Sequence, residues 1–125
     1  MGARMTVIDE GPFDVGAFAT ELASAASNVE VGTTLTFENE WVRVWEVRVE
    51  PGERCPFHAH TLPYFWTCVS PGIGRQRSPD GTVMTRRYGD GDTRFSIHGI
   101  DDPLIHDLEN VGDTVLRFIT VELLR

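Results

Sequence analysis

The sequence predicts an all-β protein, a sandwich or barrel of short strands entered through one N-terminal helix. Three observations carry this expectation. Trp41 to Glu50 alternates between two faces, with Val42, Val44 and Glu46 on one and Trp41, Arg43, Trp45, Val47 and Val49 on the other. Turn signals recur at short intervals, at Pro51-Gly52, Ser78-Pro79-Asp80-Gly81 and Gly89-Asp90-Gly91-Asp92. Beyond Thr33 no helical periodicity separates the strands, which argues against a parallel sheet with crossover helices.

The elements follow in chain order. Phe13 to Ala26 is the expected helix: alanine-rich, with Phe18, Leu22 and Ala25 on one side. Asn28 and Val29-Glu30-Val31-Gly32 end it, and it is expected to pack outside the main body or across a neighbouring subunit. Strands are then expected near Leu35, at Trp41–Glu50, Phe57–His60 and Phe65–Val69. Gly72-Ile73-Gly74 leads into a hairpin whose return strand is Val83–Tyr88. Arg94–Ile97, Leu104–Leu108 and Thr114–Leu123 complete the set. The division that results is an extension with a helix over 1–32 and a β domain over 33–125, with no repeat or linker.

Composition narrows the partners. The chain has 125 residues and a net charge of −8, with 41% hydrophobic and 24% charged residues, as expected of one globular domain. The negative charge argues against nucleic acid and against an anionic membrane surface. No apolar run approaches the roughly 20 residues that span a bilayer. The N-terminus lacks the basic-then-apolar order of a signal peptide, because Asp9, Glu10 and Asp14 interrupt it. With only Cys55 and Cys68, a disulfide framework is not expected; the protein is expected to be cytoplasmic, with both cysteines buried as small hydrophobes.

The chemistry concentrates in histidine. His58 and His60 are one residue apart in Cys55-Pro56-Phe57-His58-Ala59-His60, so an extended strand aims both imidazoles the same way. His106 opens His106-Asp107-Leu108-Glu109-Asn110 near the C-terminus. Three imidazoles from two distant strands suffice for a divalent metal with open positions for water or substrate. The competing reading is a barrel whose histidines only hydrogen-bond within a pocket.

Two motifs, in order, make the chain resemble the cupins, small double-stranded β-helix or jelly-roll proteins. The first runs glycine, five residues, His-x-His, three or four residues, a glutamate, six residues and a glycine; Gly52, His58-Ala59-His60 and Gly72 fit it. The second runs glycine, five residues, Pro-x-Gly, two residues, a histidine, three residues and an asparagine; Gly91, Gly99, His106 and Asn110 fit it. The resemblance covers about Thr33 to Leu124. Val42 to Glu46, Pro51 to Glu53, Leu62 to Tyr64 and His106 to Asp113 also resemble short bacterial cupins associated with β-alanine degradation.

There are two departures. Phe65, with Tyr64 beside it, stands where the glutamate ligand is expected, and no carboxylate occurs between His60 and Asp80. Ile97 replaces the proline, and Ile100 to Ile105 lengthen the step from Gly99 to His106. That step raises His98 as an alternative third ligand; His106 is preferred because Asn110 keeps the motif's spacing after it.

The resemblance implies a metal site of His58, His60 and His106, with Tyr64, Phe65 and Asn110 around it and a divalent transition metal (Fe, Zn, Ni or Mn). No residue is assigned a catalytic role and no organic cofactor is implied. A neutral ligand set leaves the ion's charge uncompensated, so a small carboxylate is the expected ligand. The implied function is a small-molecule metalloenzyme, either dioxygenase-like or a Lewis-acid isomerase or lyase; the alternative is a non-catalytic binding or sensor protein. The sequence offers no evident inward Asp or Glu as a base. Arg75 and Arg77 on one hairpin strand, and Arg86 and Arg87 on its return, are read first as solvated or paired with acids, and otherwise as a fork for a carboxylate. A homodimer is also implied, through the helix and the strand near Leu35.

Overall fold

The computed structural model describes residues 5–125, arranged as two five-stranded sheets packed face to face. The strands are β1 (Thr6–Pro12), β2 (Thr34–Glu38), β3 (Val42–Val49), β4 (Arg54–His60), β5 (Tyr64–Ser70), β6 (Gly72–Arg77), β7 (Thr82–Tyr88), β8 (Thr93–Ser96), β9 (Leu104–Asn110) and β10 (Leu116–Leu123). One sheet runs β1-β7-β6-β9-β4 and the other β2-β3-β10-β5-β8, with every strand pair antiparallel. This is the jelly-roll double sheet expected from the sequence.

Strand alternation builds the interior. Along β10, Leu116, Phe118, Thr120 and Glu122 are buried while their neighbours are not. Opposite them Trp45, Val47 and Val49 are the buried residues of β3, the face the alternation marked. Val47, Val49, Cys68, Tyr88, Leu108, Leu116 and Phe118 form the central core, drawn from both sheets. Within it Trp66, Tyr88 and Phe118 meet edge to face, with centroids 5.0–5.6 Å apart. Glycine opens each histidine motif for a conformational reason: Gly52 and Gly91 have φ of 84° and 86°, which side chains resist.

The N-terminal segment differs from its expectation in two ways. β1 pairs with β7 and so joins a sheet, although its sequence shows no alternation. It is an edge strand with exposed Asp9 and Glu10 and a bulge between Val7 and Asp9, so pairing rather than burial holds it. The expected helix Phe13–Ala26 is broken into a 3-10 turn at Val15–Phe18, α1 (Ala19–Ser24) and a second 3-10 turn at Ala25–Ser27. Asp14 accepts from the Gly16 N–H at 2.9 Å, which caps the first turn tightly. The segment lies on β4 of the same chain: Phe18 meets Phe57 edge to face at 5.6 Å, and Asn28 donates to the Phe57 carbonyl at 3.0 Å. Among the described residues no helix is long and apolar enough to cross a membrane.

Candidate metal centre

Strand geometry assembles the histidines. β4 and β9 are antiparallel neighbours, with His58 directly opposite His106 and His60 two positions further along β4. Side chains directly opposite and at i+2 share a face, so three imidazoles converge on the barrel interior. Their ring centroids are 4.8–5.0 Å apart, and one ligand nitrogen from each lies within 4.8 Å of the others. The Nε2 atoms of His60 and His106 are 3.0 Å apart. His98 is not in this group; its Nε2 lies 2.6 Å from the Ser96 hydroxyl at the barrel mouth.

The protonation states suit metal binding. His58 Nδ1–H donates to the Pro56 carbonyl at 2.8 Å, leaving the Nε2 lone pair free. Burial lowers the pKa of His58, against opposing contributions from that bond and Asp107. Burial, with smaller contributions from His58 and His98, pushes His60 down to about 2. His106 falls well below its usual value, again chiefly through burial. All three rings are therefore neutral at neutral pH, so no proton has to leave before an ion binds. Two nitrogens each about 2.0–2.1 Å from one ion lie roughly 3 Å apart, which is the His60–His106 separation. The residues fit a divalent transition metal.

The surrounding residues divide between the site and the scaffold. Tyr64 is buried and lies flat on His60, with centroids 4.0 Å apart and planes 10° apart. Burial raises its phenol to about 12, so it stays protonated. Phe65 follows it on the opposite face of β5, away from the histidines and across from Phe95 and Val121. Asn110 is fully engaged elsewhere: its amide donates to the Val49 and Thr114 carbonyls, both at 2.8 Å, and accepts from Gly112 N–H at 2.9 Å, closing the β9–β10 turn.

Two placements correct simple alternation and the apparent lack of an inward acid. Cys55, at the wrong parity for His58, lines the same inner cavity, because a bulge between Cys55 and His58 shifts the register by one residue. Pro56 is the sequence signal for that bulge, since proline within a strand favours such irregularities. Burial pushes the Cys55 thiol up to about 11, so it is no thiolate at neutral pH. Glu122 is an inward-facing carboxylate with 2% exposure. It accepts from Trp45 Nε1–H at 2.7 Å and lies 3.6 Å from Arg43, which holds it in the scaffold rather than in the cavity.

Behind the histidines, on the outer face of β9, Asp107 is completely buried. It accepts from Arg54 Nε at 2.7 Å, from Arg77 Nη1 at 2.9 Å and from the Arg77 backbone N–H at 2.7 Å. Arg54 also pairs with Glu21 of α1, whose carboxylate accepts from the Phe57 N–H at 2.7 Å. Both guanidiniums sit over the Phe18 ring, at 4.7 Å and 5.0 Å. The helical segment thus clamps the back of the two strands that carry the three histidines.

The histidines line an inner cavity of about 50 Å³ that opens into one of about 260 Å³ at the barrel mouth, with Tyr64, Trp66, Gln76, Tyr88 and His106 lining both. Gln76, which carries no motif, lines both cavities and is revealed only by the assembled barrel, while Arg86, which the sequence offers as a possible carboxylate fork, lines the outer one. Arg75 and Arg77 pair with Glu109, and Arg77 also with Asp107, as cross-strand pairs on the outer face.

No protein-family model and no curated protein matches the sequence. Solved structures do. A cupin-domain protein from Bordetella pertussis Tohama I is 28% identical, with 72% of this chain and 88% of that chain covered and a TM-score of 0.63. A double-stranded β-helix protein from Klebsiella pneumoniae is 22% identical over 71% of this chain and 68% of that one, at a TM-score of 0.56. A cupin superfamily protein from Desulfitobacterium hafniense shares the fold at 11% identity, 74% and 75% coverage and a TM-score of 0.52. With two antiparallel sheets and this structural likeness, the chain has the cupin double-stranded β-helix fold and is similar to solved cupin-domain proteins.

Proposed function

We propose that the protein is a metal-binding cupin in which His58, His60 and His106 hold one divalent transition metal (Fe, Zn, Ni or Mn), and that it acts on a small organic acid or carbonyl compound in the adjoining cavity. The observation that carries this reading is the convergence of three neutral imidazoles, those of His58 and His60 buried and that of His106 half-buried, from two paired strands. When bound, a redox-active ion supplies oxygen chemistry and a redox-inert one polarises a carbonyl. The chain itself holds the imidazoles in register, walls the inner cavity with Leu108, Phe118 and Val47, and joins it to the wider cavity at the mouth. A homodimer through β2 and a cytoplasmic location belong to the same reading; Cys55 and Cys68, both free thiols, suit a reducing compartment.

Elemental analysis of untagged protein tests it. About one equivalent of a transition metal is expected in the wild type and little in His106→Ala, whereas less than roughly a tenth of an equivalent in the wild type overturns the reading.

The second reading is a non-catalytic binding or sensor cupin, favoured by the lack of any Asp or Glu lining either cavity among the described residues. Proton abstraction lacks an evident carboxylate base there, so oxygen chemistry is the stronger catalytic candidate. Oxygen uptake by iron-reconstituted protein, surveyed across small acids, separates the two. Uptake abolished by His106→Ala supports the enzyme; ligand binding without uptake supports the sensor.

A further inference from the structure

The cavity at the barrel mouth has the opposite electrostatic character to the chain around it. The protein carries 19 acidic residues against 11 basic ones, yet no Asp or Glu among the described residues lines this space. Arg86 of β7 and Arg94 of β8 line it from the two different sheets, together with His98 and His106. Neither arginine has a carboxylate partner among the described residues, whereas Arg43, Arg48, Arg54, Arg75, Arg77, Arg117 and Arg125 each have one.

Arg86 is the more specific of the two. Its Nη1 donates to Gln76 Oε1 at 2.8 Å, which fixes the guanidinium plane. Its Nε–H is buried with no hydrogen-bond partner among the described residues. A buried cationic donor without a partner is costly, and a native structure tolerates it chiefly where something else supplies the acceptor. A guanidinium presents parallel N–H donors that match the two oxygens of a carboxylate. The remaining walls mix apolar side chains, among them Trp66, Met84 and Leu104, with the uncharged polar Gln76, Ser78, Thr82 and Ser96, and no glycine-rich run of backbone amides lines the space to cradle a phosphate dianion.

We propose that Arg86, held by Gln76 and assisted by Arg94, is the receptor for the carboxylate of a small monocarboxylic acid, whose remaining atoms occupy the cavity shared with His106. This rests on the preceding reading for what the acid is bound beside, but not for the anion contact itself. The acid's charge is met by the arginine and not only by an ion. Gln76 is a positioning residue here, because it acts through Arg86.

The test is calorimetric titration of propionate, with propionamide as the neutral isostere and inorganic phosphate as the competing anion, into zinc-loaded and chelator-stripped protein. Propionate is expected to bind both forms, and Arg86→Gln to weaken it at least about tenfold in each. Arg86→Lys, which keeps the charge but loses the fork, should recover only part. In the wild type the Arg86 Nε–H resonance should shift with propionate and not with propionamide, a readout that stands even if Arg86→Gln does not fold. Equal binding of propionate by wild type and Arg86→Gln, an unmoved Nε–H signal, absence of propionate binding, or phosphate bound more tightly than propionate would each overturn the assignment. Stripped protein that binds propionate through Arg86 but takes up no metal overturns the metal reading alone. Normal metal content with binding indifferent to Arg86 overturns the carboxylate receptor alone.

Discussion

Tyr64 lies flat against His60, with ring centroids 4.0 Å apart and planes 10° apart, one residue before Phe65, which stands where the first histidine motif leads one to expect a carboxylate ligand. The strand therefore contributes a rigid apolar plate in place of a fourth metal ligand. It packs the imidazole and leaves the ligand set neutral. An ion held there keeps its full charge, which suits an anionic ligand entering from the mouth.

The stack can be separated from the phenol. Tyr64→Phe keeps the plate and is expected to leave both stability and metal content near wild type. Tyr64→Ala removes a buried ring and is expected to cost about 3–5 kcal/mol of stability, with reduced metal retention. Chemical denaturation and elemental analysis of the two variants check this. Equal metal retention in both would show that the stack does not orient His60.

Metal-stripped protein is expected to lose stability on mild acidification. The folded pKa values of His58, His60 and His106 lie below the ordinary 6.5. Below that pH the unfolded chain takes up protons that the folded chain refuses, so stability falls as pH drops. The slope is at most about 1.4 kcal/mol per pH unit for each histidine. A bound ion locks the rings and adds its own linkage. Denaturation midpoints between pH 7 and 5, with and without zinc, measure the effect; a flat profile for the stripped protein contradicts it.

The clamp behind the ligand strands is expected to matter more than its distance from the histidines suggests. Asp107→Ala leaves Arg54 and Arg77 without their shared buried acceptor and is expected to cost about 3–5 kcal/mol. Arg54→Ala should expose the segment Val15–Ser27, seen as faster amide exchange there and in β4. Glu21, whose pKa is lowered chiefly by its bond to Arg54, contributes stability that is present above about 4.5 and is lost as pH falls through its lowered folded value. Glu21→Gln should therefore narrow the stability difference between pH 6 and pH 3.

The dimer expectation has a defined surface. Every residue of β2 is exposed, and Leu35, Phe37 and nearby Trp41 are 46–55% exposed on an open sheet edge. Light scattering should report a dimer for the wild type and a monomer for Phe37→Asp. A monomeric wild type ends this part of the reading.

Much of the fold was legible because its signals are local. Trp41–Glu50 alternates, Ser78-Pro79-Asp80-Gly81 turns, and His58 and His60 share a face by parity alone. The elements that escaped are those held by pairing rather than by their own pattern. β1 has no alternation because its exposed residues, as an edge strand on β7, are free to be polar. The α-helix is shorter than alanine content and spacing suggest, because neither reveals how early the segment turns to follow β4.

By itself the sequence determined the three candidate histidines and the strand class, since imidazole parity and glycine-led turns are properties of a few consecutive residues. Only the tertiary structure decided what surrounds them. Pairing in register brought His106 opposite His58, a bulge turned Cys55 inward, and sheet closure placed Arg86 of one sheet and Arg94 of the other at a single mouth free of acids. Those relations join residues from opposite sheets and distant turns. Their charge and burial are set by what closes over them, a property no linear spacing contains.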